Sequence, residues 1–259
     1  MPAAVNAKLD DWDRHWEDYA QSAAKNPAQA YRRALVLRML AADNHPRRMR
    51  ILDIGSGTGD LAADIHRAFP SSEVLGLDIS EAAVEYAARK VPAATFVQRD
   101  LVHGSGADPD HRGWATHAVC SEVLEHVEDP ARLLSNARAY LGAGCRLVVT
   151  VPGGPMSAFD RHIGHRQHFT PEALQTLLEQ TGFEVERAER AGFPFFNLYR
   201  LTVLLRGRRL VNDIANGEDG SRAARAVMKL FGVLFRFNIA SSPWGWQVLA
   251  TARFPGPTS

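Results

Sequence analysis

Two short segments near the middle of the chain concentrate carboxylate and imidazole side chains. In the first, Glu122, Glu125 and His126 stand at positions i, i+3 and i+4, so a helical turn would place them on one face. In the second, which spans residues 158–170, three histidines recur at every third position: His162, His165 and His168. Histidine exchanges a proton near neutral pH and also binds metals, so this density favours a chemical role over a packing role.

Three uses of these residues are open from the spacing alone. In the first, His126, His165 or His168 is a general base for an O–H or N–H nucleophile, and Glu125 is the catalytic candidate beside it. In the second, Glu122, Glu125, His126 and one downstream histidine bind a divalent cation that lowers the pKa of a hydroxyl. Mixed oxygen and nitrogen ligands suit Mn²⁺ or Fe²⁺ better than Mg²⁺. In the third, both segments are structural.

A glycine-rich loop lies upstream, in the segment ILDIGSGTGD at residues 51–60. Gly55, Gly57 and Gly59 permit positive φ angles and a close approach of a ligand, and the next helix offers free N–H groups at its start. The dinucleotide fingerprint would require a glycine at position 60, where the chain has Asp60. Because Asp53 precedes the loop, the loop suits a ligand that carries positive charge there rather than a pyrophosphate.

Strands and helices alternate around this loop. The predicted strands cover residues 49–54, 73–77, 94–98, 116–121, 146–151, 183–190 and 246–254. The predicted helices cover residues 59–69, 80–90, 129–141 and 170–182. This alternation predicts an α/β fold with a doubly wound, mostly parallel sheet, in which ligands bind at the carboxyl ends of the strands. Asp78 is therefore placed to bind a ribose diol, and Asp100 an adenine amino group.

In this order the motifs resemble the class I S-adenosylmethionine-dependent methyltransferases over Ile51–Phe183. The matching parts are the D-x-G-x-G-x-G loop, the acidic end of the second strand, the turn at 99–101 and CSEVLEHVEDP at 120–130. The resemblance implies a seven-stranded Rossmann-like sheet with S-adenosylmethionine as cofactor. Asp53 and the loop would hold its amino-acid part, and Ile79 and Leu101 would sandwich its adenine. The implied cofactor-binding residues are Asp53, Gly55, Gly57, Gly59, Asp78, Ile79, Asp100, Leu101 and Ser121.

The two Glu/His segments resemble metal-using branches of the same family. Ubiquinone-pathway O-methyltransferases carry a similar E-x-x-E-H turn. Small-RNA 3′-terminal 2′-O-methyltransferases add a later R-H-x-x-H…T segment, which this chain matches at Arg161, His162, His165 and Thr170. On that analogy the metal ligands are Glu122, Glu125, His126 and His165, and the ion is Mg²⁺ or Mn²⁺. The sequence V-L-E-H is also common in metal-free relatives, where the histidine lies near the substrate.

The remaining segments flank this core, and we expect one methyltransferase domain. Residues 1–45 form a helical cover with an aromatic stripe at Trp12, Trp16 and Tyr19, and residues 46–191 bind the cofactor. Residues 192–243 are an insertion, and residues 244–259 form the last strand and tail. The insertion holds two apolar stretches, each shorter than the roughly 20 residues that span a bilayer. It is expected to be a lid that packs on the sheet. The second interpretation is an apolar pocket or a membrane-surface patch for a hydrophobic substrate, with peripheral membrane contact through residues 193–240.

Composition limits the partners. With 30 basic and 29 acidic residues the net charge is +1, so a nucleic-acid partner is not expected. Two cysteines and the absence of a signal-peptide pattern predict a cytoplasmic, reduced protein. The expected activity is methyl transfer to a hydroxyl, amine or carbon of a small hydrophobic metabolite, of the kind found in secondary metabolism. The alternatives are an NAD(P)-dependent oxidoreductase, a non-catalytic nucleotide-cofactor-binding protein, and 2′-O-methylation of an RNA 3′ terminus.

Overall fold

The computed structural model describes the backbone of residues 26–42, 48–104, 106–215 and 222–256, and their side chains outside 207–225. The stripe of Trp12, Trp16 and Tyr19 lies outside the described residues. The strands are β1 Arg50–Ile54, β2 Glu73–Asp78, β3 Thr95–Gln98, β4 Ala115–Ser121, β5 Leu141–Pro152, β6 Glu184–Ala191 and β7 Gln247–Phe254. They form one sheet in the order β3-β2-β1-β4-β5-β7-β6, with β7 antiparallel to both neighbours. The predicted seven-stranded, mostly parallel α/β sheet is confirmed.

Helices cover the sheet. They are α1 Pro27–Ala41, α2 Asp60–Ala68, α3 Glu81–Lys90, α4 Pro130–Ala137, α5 Ala158–His162, α6 Pro171–Gln180, α7 Phe195–Ala215 and α8 Arg222–Leu234. Three of the predicted helix starts carry the expected caps, because Ser80, Asp129 and Thr170 each accept a hydrogen bond from a backbone N–H of the first turn. None of the helices in the described part of the chain combines the length and the apolar composition needed to cross a bilayer.

The boundary between α4 and β5 differs from the prediction. The helix expected to reach residue 141 ends at Ala137, and a short 3₁₀ turn follows. Strand β5 begins at Leu141 rather than at residue 146, because Leu141 pairs with Ala115 at the start of β4. Local propensity favours more helix here, but pairing with the neighbouring strand decides the conformation.

The order of the strands creates the binding edge. Strand β1 lies between β2 and β4. The connection that follows β1 therefore runs toward one edge of the sheet, and the connection that follows β4 runs toward the other. Such a switch point opens a crevice at the carboxyl ends of the two strands. The central strands are buried on both faces; in β1, for example, every residue after Arg50 is buried. The glycine loop after β1 and the Glu/His segment after β4 therefore meet at one edge of a rigid sheet.

The residues between β6 and β7 form α7 and α8, as an insertion before the last strand. An aromatic cluster holds these helices to α1: the rings of Tyr31 and Phe196, of Tyr31 and Phe235, and of Tyr199 and Phe231 each lie 5.4 Å apart. Edge-on and tilted aromatic pairs of this kind add stability beyond the area that they bury. We refer to α7, α8 and the residues up to Trp244 as the lid.

Candidate active site

The loop after β1 adopts a backbone that glycine permits. Gly55, Gly57 and Gly59 have φ angles of 71°, 49° and 74°. The N–H of Gly57 donates to Oδ2 of Asp78 at 2.7 Å, which ties the loop to the end of β2. A Cβ atom at Gly55 would collide with the side chain of Val123. The loop is therefore a tight, fixed cradle at the start of α2.

Asp53 is a buried carboxylate beneath this cradle. Its atom Oδ2 has no hydrogen-bond partner among the described residues. Burial, reinforced by the neighbouring charge of Asp78, raises the pKa of Asp53 to about 7. A buried carboxylate without a partner is costly, so its environment fits a cationic group delivered by a ligand. The α-ammonium of S-adenosylmethionine is such a group, and the residues present fit this cofactor.

Asp78 has two tasks at the same edge. Besides the bond from Gly57, its Oδ1 accepts a hydrogen bond from the N–H of Ser80 at 3.0 Å. Each carboxylate oxygen has two lone pairs, so these two bonds do not by themselves prevent Asp78 from accepting another from a ribose hydroxyl. Ile79, beside it, exposes 41% of its surface, as a wall for a flat ring would, whereas Leu101 is buried.

Asp100 and Ser121 are engaged within the chain. Asp100 accepts hydrogen bonds from the N–H groups of Val102 and His103 at 2.8 and 2.9 Å. Although burial acts to raise it, these bonds and the His103 ring hold the pKa of Asp100 below its usual value. Asp100 thus remains an acceptor at the rim of the crevice, and Ser121 shares a 2.7 Å hydrogen bond with Thr150.

The helical turn predicted for Glu122, Glu125 and His126 is wrong. Glu122 has a left-handed φ of 58°, and the residues that follow form turns before α4 begins. Glu122 therefore does not share a helical face with the other two: its Oε2 pairs with Nε of Arg32 at 2.9 Å, and its Oε1 accepts a bond from Nε2 of Gln247 at 2.7 Å. Its carboxylate already has partners, which argues against the predicted role as a metal ligand.

Glu125 is fully buried. Neither of its carboxylate oxygens has a hydrogen-bond partner in another described residue. Burial, with the nearby charge of Glu122, raises the pKa of Glu125 well above its usual range. One ligand atom each from Glu125, His126 and His165 lies within 4.8 Å of the others. The fold thus brings together three of the four predicted metal ligands.

The hydrogen bonds of His168 fix the tautomer of His165. The carbonyl oxygen of Gly154 can only accept, so Nδ1 of His168, 3.0 Å away, carries the hydrogen. Burial lowers the pKa of both His165 and His168, which keeps the two rings neutral. Nε2 of neutral His168 must then accept from Nδ1 of His165, which lies 3.1 Å away. The remaining nitrogen of His165, Nε2, consequently bears a lone pair.

A buried ion pair between Asp160 and Arg200 lies beside this histidine pair. Asp160 accepts two hydrogen bonds of 2.8 Å from the guanidinium of Arg200, which lies on α7. Oδ2 of Asp160 is also 4.0 Å from Nε2 of His168. Asp160, His165 and His168 form a second group close enough to share a cation, but the Arg200 charge beside Asp160 opposes one. Asp160 therefore links the histidine segment to the lid.

The two Glu/His segments are also joined through backbone groups. The N–H of Arg166 donates to the carbonyl of Glu125 at 2.8 Å, and Nε of Arg166 donates to the carbonyl of His126 at 3.0 Å. His162 lies at the exposed end of α5, apart from the line of His126, His165 and His168 rings. Of the three regularly spaced histidines, two face the site.

Four residues of the site had no signal in the sequence. Arg32 comes from α1, Asp160 from α5, Arg200 from α7 and Gln247 from β7. Nε of Arg32 contacts both Glu122 and Gln247, at 2.9 and 3.0 Å. The two salt-bridged arginines are buried, and a buried arginine requires a partner that only the fold can bring near.

The sheet order, the glycine cradle and the acidic residues near the carboxyl ends of β1 and β2 define the class I S-adenosylmethionine-dependent methyltransferases. The chain belongs to this class: residues 23–188 match the family described as "Methyltransferase domain".

Relatives agree with this assignment. The chain is 32% identical over 159 residues to the "Ribosomal RNA small subunit methyltransferase C" of Stutzerimonas stutzeri, a match that covers 54% of this chain and 42% of that protein. It is 30% identical over 171 residues to the "Ubiquinone biosynthesis O-methyltransferase" of Marinobacter nauticus, covering 59% of this chain and 71% of that one. The chain thus spans less than half the length of the first of these relatives.

A solved structure shares the fold. Phosphoethanolamine N-methyltransferase 2 of Haemonchus contortus, in complex with S-adenosyl-L-methionine, superposes with a TM-score of 0.56 at 18% identity. The superposition covers 86% of this chain and 52% of that one. At this identity the likeness concerns the fold alone.

Proposed function

We propose that the protein transfers the methyl group of S-adenosylmethionine to a hydroxyl of a small, apolar metabolite. The observation that carries the proposal is the buried Oδ2 of Asp53, which lacks a partner beside the glycine cradle. When bound, the cofactor supplies an electrophilic methyl group on a sulfonium centre. The protein's task is to align the acceptor with that group and to remove the acceptor's proton.

The proton acceptor would come from the Glu125, His126 and His165 group. The lone pair on Nε2 of His165 accepts a hydrogen bond from an acceptor hydroxyl, and His168 with the Gly154 carbonyl keeps that nitrogen unprotonated. His165 resists protonation because of its burial, so it serves better as an acceptor or a metal ligand than as a strong base. His126, whose ring centroid lies 4.6 Å from that of His165, is the alternative base.

The same three residues fit a divalent cation. A fully buried carboxylate without a hydrogen-bond partner in the described residues, beside a neutral imidazole, is a donor set that Mn²⁺ accepts. Glu125, His126 and His165 would hold the ion, which would supply Lewis acidity toward the acceptor hydroxyl. Turnover should then be lost in chelator and restored by Mn²⁺ or Mg²⁺, whereas full activity in chelator would favour the metal-free base.

The lid supports an apolar acceptor. Phe193 and Trp244 pack with ring centroids 5.4 Å apart, and Gly154, whose carbonyl contacts His168, lies against the Trp246 indole. The Trp246 indole therefore lies close to His168, and it would offer a flat or aliphatic acceptor an apolar wall there.

Calorimetry with S-adenosylhomocysteine and with NAD tests the first step. Binding of the former alone is expected, and weaker binding by Asp53→Asn would support the role of the carboxylate. Binding of NAD with no binding of S-adenosylhomocysteine would refute the proposal. A screen of apolar hydroxyl compounds with methyl-labelled cofactor tests the second step, and transfer to an RNA 3′ terminus in place of these compounds would overturn the substrate class.

A further inference from the structure

The exposed apolar side chains of this protein are concentrated in the lid. Among the described residues, eleven large hydrophobic side chains are exposed, and nine of them lie between residues 198 and 244. The most exposed are Leu205 at 80%, Phe237 at 67% and Trp244 at 64%. Single exposed hydrophobic residues are ordinary, but a concentration of this kind marks an interaction surface.

On each of the two lid helices, these side chains form an apolar stripe that remains exposed. On α7, Leu198, Leu201 and Leu205 follow one another at spacings of three and four, which places them on one face. On α8, Val227 and Leu230 are likewise exposed and three residues apart. The buried face of α8 is a different one, with Phe231 in the aromatic cluster. We call the exposed apolar residues of 198–244 the lid face.

Charge is distributed unevenly around the lid face. By sequence, residues 195–244 contain eight arginines and lysines and three acidic residues, whereas the rest of the chain contains 22 basic and 26 acidic residues. Lys229 and Arg236 are exposed. By helical spacing they lie next to Val233 at the outer edge of the α8 stripe. A basic border along an apolar stripe matches a surface with acidic headgroups and an apolar interior.

The lid face also adjoins the candidate active site. Asn197 on α7 donates to the carbonyl of Trp244 at 2.6 Å and accepts from the N–H of Trp246 at 2.9 Å. The carbonyl of Trp246 in turn accepts from the N–H of Gly153, next to the glycine whose carbonyl contacts His168. A short chain of hydrogen bonds thus connects the lid face to the histidine pair.

From these observations we infer that the lid face docks on the surface of an anionic lipid bilayer. The leucine, valine and aromatic side chains enter the interface, while Lys229 and Arg236 contact phosphate headgroups. The helices lie on the bilayer and do not cross it. Docking itself does not depend on methyl transfer. Only its use, the uptake of an apolar acceptor from the lipid, rests on the proposed function.

Vesicle sedimentation of the full chain tests the inference without cofactor or acceptor. The protein should bind vesicles of equal parts phosphatidylglycerol and phosphatidylcholine and bind phosphatidylcholine vesicles much more weakly. Burying one large side chain is worth about a factor of ten, so Leu230→Ser, Val233→Ser and Phe237→Ser together should weaken binding by about 100-fold or more. The matched control is Tyr86→Ser, an exposed aromatic on α3, which should bind as the unchanged protein does.

A second variant separates charge from apolar contact. Lys229→Gln with Arg236→Gln should weaken binding to the anionic vesicles by roughly 20-fold, because each basic side chain near such a surface is worth about a factor of five. No binding of the full chain to anionic vesicles, or equal binding by the triple serine variant, would overturn the inference. The inference would also be overturned if the unchanged protein formed a dimer in sedimentation and did not bind vesicles, while the triple serine variant was a monomer. Loss of methyl transfer with intact vesicle binding would count against the proposed function only.

Discussion

The ion pair between Asp160 and Arg200 should be costly to break, because both side chains are buried. The two side chains are 1% and 7% exposed and are joined by two bonds of 2.8 Å. Arg200→Met removes the cation and leaves the carboxylate buried, a change that costs about 3–5 kcal/mol in comparable pairs. Because Ser157 still donates its N–H to Asp160 at 2.7 Å, we expect the lower end, about 3 kcal/mol. For a chain of this size that is a decrease in Tm of about 6–12 °C.

Equilibrium unfolding in urea, followed by circular dichroism, measures the loss. The control is Arg89→Met, which breaks an exposed pair with Glu85 whose side chains are 70% and 62% exposed. It should change the free energy of unfolding by less than about 0.5 kcal/mol. The double variant Asp160→Asn with Arg200→Met should recover part of the loss, because no buried charge remains. An Arg200→Met variant as stable as the control would refute the assignment of a buried pair.

The loss should also depend on pH. Burial raises the pKa of Asp160, but the hydrogen bonds and charge of Arg200, together with the bonds from Ser157, outweigh burial and hold it well below its usual range. A depressed carboxyl pKa contributes stability above the unfolded-state value of about 3.9, and this stability is lost as the pH falls through the folded value. Without Arg200, burial dominates and the pKa rises. The deficit of the variant should therefore be largest at pH 7–8 and shrink toward pH 4.

Three further results are expected at the site. Asp78→Asn removes the carboxylate that holds Gly57. It should weaken S-adenosylhomocysteine binding about tenfold or more in calorimetry, since hydrogen bonds to a charged group are worth about 1.5–3 kcal/mol each. Unchanged affinity would contradict this role. The pKa of about 7 at Asp53 predicts that the same ligand binds about tenfold more tightly at pH 8 than at pH 6, as the carboxyl must lose its proton to pair with an ammonium group; Asp53→Asn should abolish the difference. In His168→Ala the tautomer of His165 is no longer fixed, so the Mn²⁺ affinity in calorimetry should fall by about 10–100-fold. The control His162→Ala should leave the affinity unchanged. Equal effects of the two variants would refute the tautomer argument.

The sheet and the cofactor cradle could be predicted because their signals are local. Short apolar runs alternate with capped helices, and the residues that cap α3, α4 and α6 lie within three positions of the N–H groups that they accept from. The glycines at 55–59 are likewise a local signal, because each of them permits the positive φ angle that its own position in the loop requires. The error at Glu122 has a local cause of a different kind. A pattern of i, i+3 and i+4 implies one face only if the segment is helical, and a single left-handed residue breaks that condition.

By itself, the sequence determined the order of the strands and of most helices, the glycine loop and the acidic residues near the ends of β1 and β2. Only the tertiary structure decided which histidines face the site, which glutamate stays without a partner, and which charges support them. Arg32 and Gln247, which meet at Glu122, are 215 positions apart, and Asp160 and Arg200 are 40 apart. The burial of a carboxylate and the tautomer of a histidine depend on partners that such distant segments supply. No local pattern carries that information, because these interactions exist only once the chain has packed.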